Sequence, residues 1–202
     1  MFGRKIEIGE GWGVLHVDPQ VDFMEGGALA VKGGHDVIDP INQLTDIARR
    51  RGVPVAMSAD WHPEDTVHFQ EFGGPWPVHC VAETPGAAFG PGIDTQGVEI
   101  FHKGMSNSDD GYSPWEGTSA TTGRSLGEYL AERGVQNLIV DGLATDYCVK
   151  AGVLDARKQG LTVYVVKDAI RAVEANRGDR RRAIREMKRA GAQFISSRRI
   201  AG

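Results

Sequence analysis

The fold class is decided by the segment Asn137-Leu138-Ile139-Val140-Asp141-Gly142-Leu143-Ala144-Thr145-Asp146-Tyr147-Cys148-Val149. Its apolar first part predicts a buried strand, Asn137–Asp141, and its second part opens a helical pattern over Thr145–Lys158. Cys148 is therefore expected in the first turn of a helix that follows the carboxyl end of a strand. Unpaired N–H groups and positive potential at a helix N-terminus lower the pKa of a thiol. The alternative is a small buried hydrophobic residue, which most free cysteines are.

The same alternation of strand and helix patterns runs along the rest of the chain. The predicted strands are Gly13–Asp18, Val53–Ser58, Gly97–His102, Asn137–Asp141, Leu161–Val166 and Ala192–Ser196. The predicted helices are Val37–Arg51, Arg124–Arg133, Thr145–Lys158 and Asp179–Ala190. Such alternation predicts an α/β fold with a doubly wound, mostly parallel sheet of about six strands and helices on both faces. No linker or repeat interrupts it, so we predict a single domain over residues 1–202.

The composition of the chain limits the partners and the cell compartment that we expect for it. The chain has 202 residues, of which 41% are hydrophobic and 25% charged, and its net charge is −4. This balance argues against a nucleic-acid or membrane partner, and no apolar run is long enough to span a bilayer. With no signal-peptide pattern and only two cysteines, Cys80 and Cys148, we expect a cytoplasmic protein with free thiols. A homo-oligomer is also expected.

Two long segments, Asp60–Pro91 and Lys103–Thr122, lack strand or helix periodicity. Long loops in compact domains usually carry function, and the aromatic residues in these two argue against disorder. The basic run Arg180–Arg182 most simply forms the exposed face of the last long helix.

Chemically reactive side chains follow four of the predicted strands. In open parallel sheets ligands bind beyond the carboxyl ends of the strands, so these residues are expected at one edge. They are Asp18, Asp60, His62, Lys103 and Cys148. The ordinary alternatives are a turn residue before Pro19 for Asp18, a hydrogen-bonded loop residue for His62 and a solvated loop residue for Lys103.

Together these motifs resemble the nicotinamidases, also called pyrazinamidases, within the isochorismatase-like cysteine hydrolases. The resemblance runs in unbroken order from about Val14 to about Asp168. Its motifs are Asp18-Pro19-Gln20-Val21-Asp22-Phe23, Asp60-Trp61-His62-Pro63, Trp76-Pro77-Val78-His79-Cys80, Lys103-Gly104 and Ala144-Thr145-Asp146-Tyr147-Cys148-Val149. Each motif is short, but their joint order and spacing are specific.

The resemblance implies a catalytic set. Cys148 would attack a carboxamide carbon and form a thioester with loss of ammonia. Asp18 would take the thiol proton and deliver it to the leaving amine, with Lys103 favouring the charged forms of both. The N–H groups of Ala144 and Cys148 would bind the oxyanion, with a cis peptide bond between Leu143 and Ala144.

The resemblance also implies one divalent metal ion, with zinc expected first and iron or manganese as alternatives. Its ligands would be Asp60, His62 and His79. His68 stays open as a fourth ligand, because some nicotinamidases have serine there. In this family the metal binds the ring nitrogen of the pyridine and orients the substrate.

Phe23, Trp76 and Tyr112 match the positions that enclose the pyridine ring, with Ala144 beside them; ordinary loop packing is the alternative for the aromatic residues. Cys80 is expected to be structural and buried. The implied reaction is hydrolysis of nicotinamide to nicotinate and ammonia in NAD salvage, with pyrazinamide as a further substrate. Two alternatives remain: a related cysteine hydrolase acting on another small amide or carbamate, and a non-catalytic protein that binds a pyridine carboxamide.

Overall fold

A computed structural model describes residues 5–108 and 110–201; residues 1–4, 109 and 202 of the predicted domain lie outside that part of the chain. The strands, in chain order, are β1 (Ile6–Glu7), β2 (Trp12–Val17), β3 (Val55–Asp60), β4 (Glu99–Lys103), β5 (Thr118–Ser119), β6 (Asn137–Leu143), β7 (Thr162–Arg171), β8 (Gln193–Ile195) and β9 (Ile200–Ala201). The α-helices are α1 (Ile38–Arg50), α2 (Leu126–Glu132), α3 (Cys148–Lys158) and α4 (Asp179–Arg189).

The main sheet has the strand order β5-β4-β3-β2-β6-β7-β8, and β1 pairs with β9 in a separate two-stranded sheet. All neighbours in the main sheet are parallel except β4 and β5. From β2 the chain first builds outward through β3 and β4, then returns to the other side of β2 with β6. The carboxyl ends of β2 and β6 therefore form the switch point where ligands bind in open α/β sheets.

Helices cover both faces of this sheet, as predicted. On one face, α1 packs Leu44 and Ile47 against Val14 and Ile139 of the strands. On the other face, α2, α3 and α4 bury apolar residues against the same strands. The helix α2 begins with a capping box, in which the side chains of Ser125 and Glu128 bond reciprocally to backbone N–H groups.

The fold class is confirmed, with seven strands in the main sheet where about six were predicted. The additional strand is the two-residue β5, too short for a periodic pattern. Four strands, β3, β4, β6 and β7, end later than predicted. Asp60 and Lys103 are therefore the last residues of β3 and β4. The predicted helix start at Thr145 is wrong, because α3 begins at Cys148 itself.

The prediction that the basic run forms the exposed face of α4 is confirmed, since the buried residues of this helix are Asp179, Ala183 and Met187. Among the described residues, every helix is too short or too polar to cross a membrane.

Gly142 permits the close approach of β6 to β2 next to the switch point. It pairs with Val17 and has a φ of 106°, in the left-handed region that favours glycine. A Cβ at this position would lie 2.0 Å from the carbonyl oxygen of Val17. Only glycine therefore fits here without moving one of the two central strands.

We predict that Gly142→Ala lowers the free energy of unfolding more than Gly160→Ala does. Gly160 also has a positive φ, of 85°, but a Cβ there would meet nothing within 4 Å. Strain alone should cost about 1 kcal/mol at Gly160, and the backbone clash should add roughly 1–3 kcal/mol at Gly142. Urea denaturation followed by circular dichroism measures both. Equal losses would contradict the role assigned to the close approach.

Candidate active site

A buried lysine joins three other reactive groups at the carboxyl edge of the sheet. The Nζ atom of Lys103 lies 2.9 Å from Asp18 Oδ2 and 3.4 Å from Cys148 Sγ. It also donates hydrogen bonds to Asp60 Oδ1 and, at 2.7 Å, to the carbonyl oxygen of Gly111. We call Asp18, Asp60, Lys103 and Cys148 the lysine cluster.

The strand order brings the lysine cluster together. β4, β3, β2 and β6 are consecutive neighbours, so their carboxyl ends deliver Lys103, Asp60, Asp18 and the loop before Cys148 to adjacent positions. Asp18 follows β2 with a φ of 45°, in the left-handed region. Its N–H donates to the carbonyl oxygen of Ser58 at 3.1 Å, which ties this turn to β3.

The charges in the cluster depend on one another. Burial alone would lower the pKa of Lys103, but Asp18 and Asp60 raise it well above its usual value. Burial alone would raise the pKa of Asp60, but Lys103 holds it far below its usual value. For Asp18, burial dominates and, with the nearby Asp60, raises the pKa to about 6 against the opposing effect of Lys103. Asp18 is thus ionised at neutral pH and still basic enough to accept a proton.

The thiol of Cys148 is a proton donor in this environment. Burial raises its pKa well above the usual value; Lys103 opposes this rise, and the carboxylates of Asp18 and Asp60 add to it. The expectation that the pKa of Cys148 is lowered is therefore wrong. A thiol of this kind becomes a nucleophile when a neighbouring base removes its proton, and Asp18 lies in the same cluster.

Three buried histidines, His62, His68 and His79, form a second group, the histidine cluster. Their nearest ring nitrogens lie within 4.8 Å of one another. His62 Nδ1 contacts the carbonyl oxygen of Gly104 at 3.0 Å, and His79 Nδ1 contacts that of Pro77 at 2.7 Å. With Nδ1–H donating to a carbonyl, the Nε2 lone pair of each ring is left for another partner.

The histidine cluster fits a metal ion. His62 Nε2 and His68 Nδ1 are buried and have no hydrogen-bonding partner among the described residues. Burial lowers the pKa of His68 to about 4 and also lowers the pKa of His79, so both rings are neutral. Asp60 Oδ2 adds a carboxylate oxygen 3.7 Å from His62 Nε2. Neutral imidazoles with a carboxylate are the donor set expected for zinc, iron or manganese.

A pocket with an empty volume of about 320 Å³, its open mouth included, lies between the two clusters. Trp76 Nε1 donates to the Tyr112 hydroxyl oxygen at 2.8 Å, and Tyr147 meets the Trp76 ring edge-on at 4.8 Å. The pocket is lined by Phe23, Leu29, Asp60, His68, Trp76, His79, Tyr112, Ala144, Tyr147, Cys148 and Val173.

The structure brings together all the residues that the sequence singled out for the site. Asp18 and Lys103 lie in the lysine cluster, and His62 lies in the histidine cluster. The pocket wall contains the other predicted residues, among them Phe23 and Ala144. The peptide bond between Leu143 and Ala144 is cis, and Cys80 is buried as a free thiol.

Sequence reasoning missed several residues that hold the site in place. Gln20 clamps both backbone groups of Asp60: its Nε2 donates to the carbonyl oxygen and its Oε1 accepts from the N–H, each at 2.8 Å. Asp22 Oδ2 accepts from the N–H of Cys80 at 2.7 Å, beside His79. The sequence analysis assigned no role to Gln20 or Asp22, because their contacts with distant loops leave no local sequence signal.

A family model described as "Isochorismatase domain" matches residues 13–199. The chain belongs to the isochorismatase family.

Within the isochorismatase family, the chain is 38% identical to a nicotinamidase from Escherichia coli strain K12, over 91% of this chain and 93% of the relative. A pyrazinamidase from Pyrococcus horikoshii, solved in complex with zinc, is 36% identical with a TM-score of 0.81, over 92% of this chain and 99% of that one. PnC1 from L. infantum, solved in complex with nicotinate, is 31% identical with a TM-score of 0.85, over 98% of each chain.

We predict that Lys103→Met destabilises this isochorismatase-family protein in a pH-dependent way. Without the ammonium group two buried carboxylates lose their partner, which should cost about 3–5 kcal/mol at pH 7. Their pKa values in the folded variant should then exceed those in the unfolded chain. The folded variant therefore binds more protons, and its deficit against the native protein should shrink as the pH falls from 7 to 5.

Urea denaturation at several pH values measures this deficit. The matched control is Lys150→Met, which removes an ammonium group from a partly exposed pair with Glu186 at 3.5 Å. That change should cost less than about 1 kcal/mol at every pH. A deficit in Lys103→Met that stays constant with pH would argue against the assigned charge states.

Proposed function

We propose that this chain hydrolyses nicotinamide to nicotinate and ammonia through a thioester on Cys148. The observation that carries the proposal is the contact of Lys103 Nζ with both Asp18 and Cys148, beside an aromatic pocket and the histidine cluster. Membership of the isochorismatase family and the nicotinamidase relatives support the same reaction.

The acylation half-reaction uses Asp18 twice. Asp18 takes the proton of the Cys148 thiol, and the sulfur attacks the carboxamide carbon to give a tetrahedral oxyanion. The N–H groups of Ala144 and Cys148 donate hydrogen bonds to this oxyanion. Asp18 then gives its proton to the amine nitrogen, the C–N bond breaks, and ammonia leaves the thioester.

The deacylation half-reaction runs through the same groups. A water molecule attacks the thioester carbon while Asp18 accepts one of its protons. The C–S bond breaks, the Cys148 sulfur recovers its proton from Asp18, and nicotinic acid is released, which ionises to nicotinate by giving its proton to water. Lys103 stays protonated throughout, because Asp18 and Asp60 hold its pKa high. Its positive charge compensates the negative charge that moves between the Cys148 sulfur and Asp18.

Asp60, His62, His68 and His79 would hold the divalent metal, with zinc as our first expectation and iron or manganese as alternatives. When bound, the metal would supply a Lewis-acidic position for the ring nitrogen of the pyridine. The orphaned nitrogen of His68 supports its inclusion as a ligand. The pyrazinamidase from Pyrococcus horikoshii, solved with zinc, supports the choice of metal.

The substrate ring would lie among Phe23, Trp76 and Tyr112. Flat side chains of this kind bind a flat heterocycle through offset and edge contacts. Pyrazinamide differs from nicotinamide by one ring nitrogen, so the same pocket should accept it. Hydrolysis of nicotinamide would serve NAD salvage.

The first test is ammonia release from nicotinamide by the zinc-loaded protein. Native protein should release ammonia, and Cys148→Ala should lose at least about 10⁴-fold in rate because no nucleophile remains. Cys80→Ala, which removes the other buried thiol, should keep most of the activity. Equal turnover by Cys148→Ala would contradict the mechanism.

The same assay separates the alternatives. Release of ammonia from another small amide or carbamate but not from nicotinamide would indicate a different substrate. Binding of nicotinamide without turnover of any amide would indicate a binding protein.

We predict that His62→Ala and His79→Ala weaken zinc binding by more than the roughly 10- to 100-fold typical of changes around metal ligands. Competition with a chromophoric chelator measures the affinity without relying on activity. His35→Ala is the control, since His35 is exposed and pairs only with Glu25 in the described structure. Unchanged affinity in both cluster variants would contradict the assigned site.

A further inference from the structure

We propose that Ser58 is a positioning residue that fixes which oxygen of Asp18 receives the thiol proton. This inference rests on the proposed function, because it assigns a role within the same reaction. Ser58 belongs to β3 and is fully buried, as is Asp18. Its hydroxyl donates to Asp18 Oδ1 at 2.7 Å, a short bond of the kind made to an ionised acceptor.

The two oxygens of Asp18 have different surroundings. Oδ1 accepts the hydrogen bond from Ser58, and Oδ2 lies 2.9 Å from Lys103 Nζ. The same Nζ atom lies 3.4 Å from Cys148 Sγ, so Lys103 marks the side of the carboxylate that faces the thiol. Although it lies in this ion pair, the buried Oδ2 receives no hydrogen bond of good geometry from the described residues. With Oδ1 engaged by Ser58, Oδ2 on the side of the thiol is the oxygen that can take the proton.

A carboxylate needs such a restraint because rotation about its terminal torsion is soft. Lys103 attracts whichever oxygen of Asp18 faces it, so its charge alone does not hold the carboxylate in one orientation. The hydroxyl of Ser58 approaches from the neighbouring strand and fixes one of them. The backbone also ties Asp18 to this strand, since the N–H of Asp18 donates to the carbonyl oxygen of Ser58 at 3.1 Å.

The sequence of β3 supports a specific role for this hydroxyl. The strand reads Val-Ala-Met-Ser-Ala-Asp, and Ser58 is its one polar residue before the final Asp60. A hydroxyl buried in a central strand is costly unless it is hydrogen-bonded. Ser58 pairs in register with Val17, directly before Asp18, so the strand pairing itself places the hydroxyl beside the carboxylate.

The test compares Ser58→Thr with Ser58→Val in zinc-loaded protein. The two side chains have nearly the same shape, and only threonine keeps the hydroxyl. We expect Ser58→Val to lose about 10- to 100-fold in kcat for nicotinamide, with KM changed by less than about twofold, because misplaced catalytic groups slow the chemical step. Ser58→Thr should stay within about threefold of the native kcat.

A control removes another serine-to-aspartate hydrogen bond, one that is partly buried. Ser197 donates to Asp168 Oδ2 at 2.8 Å, beyond the end of β8. Ser197→Ala should lower stability but leave kcat unchanged. This result would separate loss of a serine-to-aspartate hydrogen bond in general from loss of the bond to Asp18.

A second measurement does not depend on amide hydrolysis. Iodoacetamide alkylates Cys148 as the sulfur forms a bond to carbon, iodide leaves, and Asp18 Oδ2 takes the thiol proton. Mass spectrometry of the modified peptide follows this reaction at Cys148 alone. We expect Ser58→Val to react about tenfold more slowly than Ser58→Thr.

The outcomes are distinct. One outcome is that Ser58→Val is alkylated more slowly than Ser58→Thr while the native protein releases no ammonia from nicotinamide. That outcome would support the role of Ser58 and contradict the proposed function. Equal kcat and equal alkylation rates for Ser58→Val and Ser58→Thr would overturn the role of Ser58 while leaving the function intact. Equal losses in both variants would also overturn it, because packing and not the hydroxyl would then be responsible.

Discussion

One buried ammonium group holds the site together. Lys103 Nζ lies among two carboxylates and a thiol at the point where β4, β3 and β2 end beside the loop after β6. The ammonium group and each carboxylate would be unfavourable in the interior by itself, because burial disfavours charge. Together they fix one another's protonation: the lysine stays charged, Asp60 stays ionised, and Asp18 keeps a pKa of about 6. The sheet brings the groups together, and the charge balance makes their burial tolerable.

Asp60 connects the two halves of the site. Its Oδ1 accepts from Lys103, its Oδ2 faces His62, and Gln20 fixes its backbone from both sides. A single carboxylate thereby serves the lysine cluster and the histidine cluster at once. The pocket lies between these clusters, so a ring held at the histidines and an amide carbon held at Cys148 would be placed by one rigid framework.

The sequence predicted the fold class because apolar strands and amphipathic helices alternate with clear periods. It also predicted that Asp18, Asp60, His62, Lys103 and Cys148 lie at one edge of the sheet, since carboxyl ends of parallel strands converge. The remaining candidate residues came from the family resemblance. It misplaced the start of α3, because Thr145 to Tyr147 have helix-compatible side chains but form a turn after the cis peptide. The predicted pKa of Cys148 was wrong because burial depends on the whole assembly. Ser58 and Gln20 were missed for the same reason: their partners are distant in sequence, as between Gln20 and Asp60.

The central position of β2 in the main sheet has a consequence for folding during synthesis on the ribosome. This apolar strand pairs on one side with β6, where Trp12 meets Asn137. Ribosomes add about 5–20 residues per second, so β2 leaves the ribosome several seconds or more before that partner exists. Until then it presents an unpaired, aggregation-prone edge. The strand that leads to Asp18 thus waits longer for one of its partners than any other strand of the main sheet.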